Sequence, residues 1–366
     1  MIKRLPQNYI PINYYLYLHI VYDKYPFDAI VKIIFRKNKD DDQIFLNIDS
    51  NIVIKKITQN SINLNYEVHY PQLIIERSKS PYMDFDSYPI TIEYTVSPSK
   101  DYEEGFFMLD KNYFTKFEPN GACKLLPCFD EPSIRSTFSV KLLIPSKLTA
   151  LSNMPIETIE EKENDNEIEI TFQKTPPMCT YLLCLCIGTF SSIVGSTKSG
   201  TPVKFYTKCG NENLLKKSLD TAIYSLNWLE TKFGVKFELP SLQLISHELY
   251  PGGMENYGLI TLTDITDSIN SLFNNLIIMH EIVHQWFGDL VCIKYWDSLW
   301  LNEGFAEFIQ YLIMKDYRPH YDFFTLFAQN EASRCFQFFD DNNVISPSCE
   351  DDVDIDNLFN TIMYAK

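Results

Sequence analysis

The sequence lacks any apolar run near the roughly 18 residues that a membrane-crossing helix requires. Its opening stretch, MIKRLPQNYIPINYYLYLHI, has no uninterrupted apolar core ahead of Pro6 and Pro11, so no secretory leader is expected. Positive charge is also short, with 32 Lys and Arg against 48 Asp and Glu and a formal net charge of -16. Such a surface repels a phosphate backbone. It argues against nucleic acid or an anionic bilayer as partner and suits a cationic or amine-bearing ligand. Cysteine is present but not organised: the nine residues are odd in number and scattered, unlike a small disulfide scaffold. Reduced thiols in the cytoplasm are the expected state. Cys184 and Cys186, two apart in YLLCLCIG, are expected on one face of a strand as core packing. There is no internal repeat and no long low-complexity linker.

What is there divides by period. At 366 residues, 45% of them hydrophobic, the chain suffices for two domains with their own cores. Up to about residue 190, short alternating runs such as INYYLYLHI, VKIIFR and EIEITF are separated by turn-rich stretches including KNKDDDQ and EKENDN. That pattern predicts antiparallel sheets. From about residue 212, Leu219, Ala222, Ile223, Leu226, Leu229 and Phe233 follow helical spacing and stop at Gly234, a C-cap candidate. Further helices are expected near 269–287, 300–315 and 321–338, preceded by a strand pair, LQLISHEL and GLITLT. The domains are therefore set at 1–190, β-rich, and 191–366, α+β and mostly helical. The acidic runs Asp40 to Asp42 and Glu350 to Asp352 read as solvated loops.

Histidine is scarce, at 6 residues, yet two of them fall in NNLIIMHEIVHQWFGDLV. His280 and His284, four apart, share one helix face, one turn apart, within reach of one ion at Zn–N distances of about 2.0–2.1 Å. Glu281 stands where its carboxylate can reach water at the metal. A third ligand is needed, and Glu303 in WDSLWLNEGFAEF follows His284 after 18 intervening residues. Two antiparallel helices would bring it to the histidine pair. Glu307, one turn on, is either an acceptor for a histidine N–H or a surface glutamate. Trp286, Phe287 and Trp300 are assigned to packing that keeps the site dry.

H-E-x-x-H, 18 residues, then N-E-G-F-A resembles the gluzincin metallopeptidases, in particular the zinc aminopeptidase family that includes aminopeptidase N and the puromycin-sensitive aminopeptidase. RLPQNYIPINYYLYL resembles that family's opening strand. FTKFEPNGACKLLPCFDEPSIRSTF resembles its segment ending in P-C-F-D-E-P, PGGMENYGLI its G-x-M-E-N motif, and LFNTIMYAK its stretch ending in Y-x-K-G. The likeness runs the length of the chain. It implies a β-sandwich or saddle domain followed by a thermolysin-like catalytic domain, incomplete at its C-terminus, with one zinc ion on His280, His284 and Glu303. By similarity Glu281 is the general base, Tyr364 the oxyanion donor, and Glu255 and Glu118 the carboxylates that anchor a substrate's free α-amine. Gly252, Gly253, Met254 and Asn256 complete the substrate loop.

The resemblance thus implies peptide substrates with a free N-terminal amine. Two departures stand out. Gly253 replaces the commoner alanine, and Asp289 stands where the family usually has asparagine. The glycine is shared with the leukotriene-hydrolase branch, but F-E-P, C-F-D-E-P and H-Q-W-F-G favour the peptidase. Relatives continue past the position of Lys366 into a large helical domain. A chain that binds zinc or peptide without efficient turnover is therefore the alternative expectation.

Overall fold

The computed structural model describes residues 4–22, 24–39, 41–76, 89–99, 104–162, 166–248, 252–264 and 271–333. The chain divides into two compact units, residues 1–189 and 190–366.

The first unit contains β1 (Tyr9–His19), β2 (Phe27–Lys37), β3 (Gln43–Asn47), β4 (Ile52–Gln59), β5 (Ile62–Asn63), β6 (Tyr66–His69), β7 (Gln72–Glu76) and β8 (Ile90–Val96). It continues with β9 (Gly105–Leu109), β10 (Asn112–Lys116), β11 (Thr137–Pro145), β12 (Thr149–Ser152), β13 (Ile156–Glu161), β14 (Glu167–Phe172) and β15 (Leu185–Gly188). Among the described residues these build sheets ordered β13-β14-β11-β1-β2-β8-β4-β5, β12-β15-β10-β9 and β3-β7-β6. Alternation explains the pairing: Val31, Ile33 and Phe35 of β2 are buried while their neighbours point outward, so one face of the strand is core. One pairing departs from the antiparallel expectation. β1 runs parallel to β11, with Leu16 opposite Val140 and Leu18 opposite Leu142. A partner so distant in sequence leaves no local trace. The thiols of Cys184 and Cys186 lie 3.9 Å apart and fully buried, as core groups.

The second unit carries more sheet than its periodicity suggests. Strands β16 (Phe190–Ser196), β17 (Pro202–Lys208), β18 (Leu242–Ser246), β19 (Gly253–Met254) and β20 (Leu259–Leu262) form a mixed sheet in the order β16-β17-β18-β20-β19. β18 and β20 are the expected strand pair. Their continuous burial, without alternation, marks parallel strands covered on both faces. Helix α1 (Lys216–Phe233) ends at Gly234, whose φ of 67° and N–H to Glu230 O make the left-handed cap. Helices α2 (Ser271–His284) and α3 (Trp300–Tyr317) pack on one another, and α1 packs on α2. Of the fourth expected helix, residues 334–338 lie outside the described residues; before them α4 (Phe323–Phe327) passes into a wider turn over Ala328–Ala332.

Side chains tie the three long helices together. Thr221 of α1 donates to Asn275 Oδ1 of α2 at 3.0 Å. Trp228 Nε1 of α1 donates to Asp316 of α3 at 2.7 Å. Ile278, Met279, Ile282 and Val283 give α2 one broad apolar face, about 140° wide, which is buried in the core of this unit.

Candidate metal centre and substrate loop

Helical geometry delivers the two histidines to one face of α2, and α3 presents Glu303 and Glu307 from the same side of its own axis, one turn apart. The Nε2 atoms of His280 and His284 lie 3.1 Å apart. Glu303 Oε2 stands 3.2 Å from the first and 3.6 Å from the second. Each outer nitrogen has its own acceptor. His280 Nδ1 lies 3.3 Å from Glu307 Oε2, and His284 Nδ1 lies 2.9 Å from the carbonyl oxygen of Phe287. Those acceptors place the ring protons on the outer nitrogens, so two lone pairs and a carboxylate converge on one point.

Three converging acceptors repel unless a cation or extra protons lie among them. Ligand atoms about 2.0–2.1 Å from a tetrahedral ion are about 3.3 Å apart, and the observed separations bracket that value. The donor set therefore fits zinc. The electrostatics agree. Burial works against charge on His284, yet Glu303 and Glu255 outweigh it and raise its pKa to about 9. His280 is raised too: burial again opposes, and the hydrogen bonds to Glu303 and Glu307 prevail. Glu303, despite burial, is held well below the usual carboxylate range by the two imidazoles. Burial pushes Glu281 up to about 7 and raises Glu255 as well. The pocket thus demands positive charge.

The substrate loop is the end of the sheet. Gly252, at φ 99°, turns the chain into β19, which pairs with β20 through Gly253 opposite Leu262 and Met254 opposite Thr261. Among the described residues β19 is an edge strand. A tight turn follows, closed by Leu259 N–H to Asn256 O at 2.9 Å. Met254 and Asn256 are buried, and Gly253 lies against Glu281: a Cβ there would meet the Glu281 carboxyl oxygen at 2.5 Å. Glu255 is buried, and its Oε1 has no hydrogen-bond partner among the described residues. Ligand atoms of Glu255, Glu281 and His284 lie within 4.8 Å of one another.

The structure thus gathers His280, His284, Glu303, Glu281, Glu255 and Gly253 in one place, with Gly252 in the bend that leads to it. Glu307 lines it as well. Glu118 belongs to the first unit, half-buried and two residues past β10. Tyr364 lies outside the described residues. Trp286 is buried, while Phe287 and Trp300 are partly exposed and stack around Phe305. Three participants fall in the H-Q-W-F-G stretch, but nothing in the sequence assigns any of them its role in the site. They are the Phe287 carbonyl, the amide of Gln285, and Gly288, whose φ of 129° lets the chain pass over the His284 ring. Only the fold makes them neighbours of the site.

This fold and this constellation are those of a metallopeptidase-type chain. The Peptidase M1 N-terminal domain profile matches residues 10–182, and the Peptidase family M1 domain profile matches residues 217–366. The chain belongs to peptidase family M1. It is 37% identical to Aminopeptidase M1-A of Oryza sativa subsp. japonica over 69% of its own length and 30% of that protein's. It is 37% identical to Glutamyl aminopeptidase of Sus scrofa over 54% of its length and 22% of that protein's. With Probable aminopeptidase 2 of Sulfurisphaera tokodaii the identity is 32% over 89% and 43%. The chain therefore spans about a third of the plant relatives' length and less than half of the archaeal one.

Proposed function

We propose that this chain is the N-terminal and metal-binding portion of a zinc aminopeptidase, acting on peptides that carry a free α-amine. The observation that carries the proposal is the meeting of two imidazole Nε2 atoms with Glu303 beside a Glu255 oxygen that has no hydrogen-bond partner among the described residues. His280, His284 and Glu303 hold the ion, and zinc there supplies a Lewis acid that polarises a carbonyl and acidifies water.

The chain's own residues do the rest. Glu281, raised toward neutrality, takes a proton from the attacking water and returns it to the leaving nitrogen. Glu255 accepts a charge-assisted hydrogen bond from the substrate ammonium. An internal peptide segment would leave that buried carboxylate desolvated and unpaired, so it is rejected. Edge strand β19 offers its main chain to an extended substrate, and the glycines allow close approach. By resemblance Glu118 is the second amine anchor and Tyr364 the donor to the tetrahedral oxyanion. A cytoplasmic location belongs to the same proposal, resting on the odd, scattered cysteine set.

A fluorogenic aminoacyl amide tests the reading. Hydrolysis should disappear with chelator, return with zinc, and be absent for the α-acetylated substrate. In Glu281→Gln zinc should remain bound while kcat falls about 10²–10⁴-fold. Equal turnover of the acetylated substrate, or near wild-type rates in that variant, would refute it.

A further inference from the structure

The residue after the second histidine, Gln285, is used by neither ligation nor proton transfer, yet it is almost wholly buried. Its amide faces the substrate loop with both functions engaged. Nε2 donates to the main-chain carbonyl of Glu255 at 2.8 Å, and Oε1 accepts the N–H of Gly258 at 2.9 Å. The clamp joins Glu255 to Gly258, across the start of the tight turn that follows Glu255. On the other side of Glu255, Gly253 rests against Glu281, whose carboxyl a Cβ there would displace, so the loop is held by α2 before Glu255 and by the residue following α2 after it.

The distance from amine anchor to metal has to match that from an α-amine to the carbonyl of the same residue, two bonds away. Such a ruler tolerates little play, because a 1 Å error costs about 10²-fold in rate. Gln285 is bonded to His284, so its clamp ties the loop to a metal ligand itself. We infer that Gln285 is a positioning residue that sets Glu255 at the length of one amino acid from the metal, which makes it a determinant of free-amine recognition. The inference rests on the aminopeptidase reading above.

Binding of two inhibitors to the zinc-loaded protein tests it without turnover: alanine hydroxamate and propionohydroxamate, which differ only in the α-amine. Wild type should prefer the first. Gln285→Leu, similar in volume but unable to bridge, should lower that preference about tenfold, towards the ratio in Glu255→Ala, with propionohydroxamate affinity and zinc content unchanged. Gln285→Glu keeps the acceptor for Gly258 but loses the donor to Glu255, and should lower the preference too; it carries the test if the leucine variant does not fold. A wild-type ratio in either folded, zinc-loaded variant overturns the inference. No amine preference in wild type overturns the aminopeptidase reading itself, and the inference with it.

Discussion

At the scale of single residues, the surroundings of the candidate metal site give the sharpest expectation. Glu307 accepts from His280 Nδ1 and is nearly buried, so it orients the ring and raises its basicity. Glu307→Ala should weaken zinc binding about 10–100-fold by chelator competition, and unchanged affinity would return Glu307 to the role of a packing residue. Gly253 makes a second case. Alanine there meets the Cγ, Cδ and Oε1 atoms of Glu281, the outer part of a flexible side chain, so the carboxyl rather than the backbone must shift. Gly253→Ala should leave the melting temperature within a few degrees of wild type while kcat falls about 10–100-fold. A large loss of stability with intact kcat in the surviving protein would contradict this account. The candidate ligand set was legible in the sequence because H-E-x-x-H uses the period of one helix and N-E-G-F-A the next. Gln285 and the Phe287 carbonyl were not. A glutamine and a main-chain oxygen have no distinctive type or spacing, and their meaning comes only from what they face.

At the scale of elements, α2 combines two tasks on opposite sides. His280 and His284 point to one face, and Ile282, fully buried, lies about 200° away from each around the helix. Ile282→Ala should therefore cost about 2–5 kcal/mol in urea unfolding, through lost burial and a cavity. Zinc affinity of the folded protein should stay close to wild type. A parallel fall in affinity would mean that core packing and ligation are not separable. The helices α1, α2 and α3 were readable from apolar spacing, and the left-handed cap at Gly234 from its position after the last periodic residue. Strands β16 and β17 were not singled out in a half whose dominant period is helical. The wide turn at Ala328–Ala332 was not legible either, since its residues favour an ordinary helix.

At the scale of the whole chain, each unit has its own core and its own buried polar tie. In the first, C-F-D-E-P serves as a knot rather than a reacting group. Asp130 accepts from Cys123 N–H at 3.0 Å and from the Thr180 hydroxyl at 2.8 Å, while Glu131 accepts from Leu5 N–H at 2.7 Å. Burial pushes the Asp130 pKa up to about 6 against these hydrogen bonds. Between about pH 4 and 6 the folded chain then holds a proton that the unfolded chain has lost, so this group's contribution weakens as pH rises and levels off above 6. A rise from the ordinary aspartate value of 3.8 to about 6 bounds that loss at about 3 kcal/mol. Asp130→Asn should remove that component. The difference in unfolding free energy between wild type and variant should change between pH 4 and pH 7, and a constant difference would show that Asp130 does not titrate in this window.

The sequence by itself determined the family, the metal ligands as candidates, and the division into a β-rich half followed by a helix-bearing half. These rest on local periods and residue types, which each segment carries whatever surrounds it. The parallel partnership of β1 with β11, the edge position of β19, the acceptor behind each imidazole and the amide clamp on Glu255 were decided only by tertiary structure. They join segments far apart in the chain or recruit main-chain atoms, and the free energy that selects them arises when those surfaces leave water together.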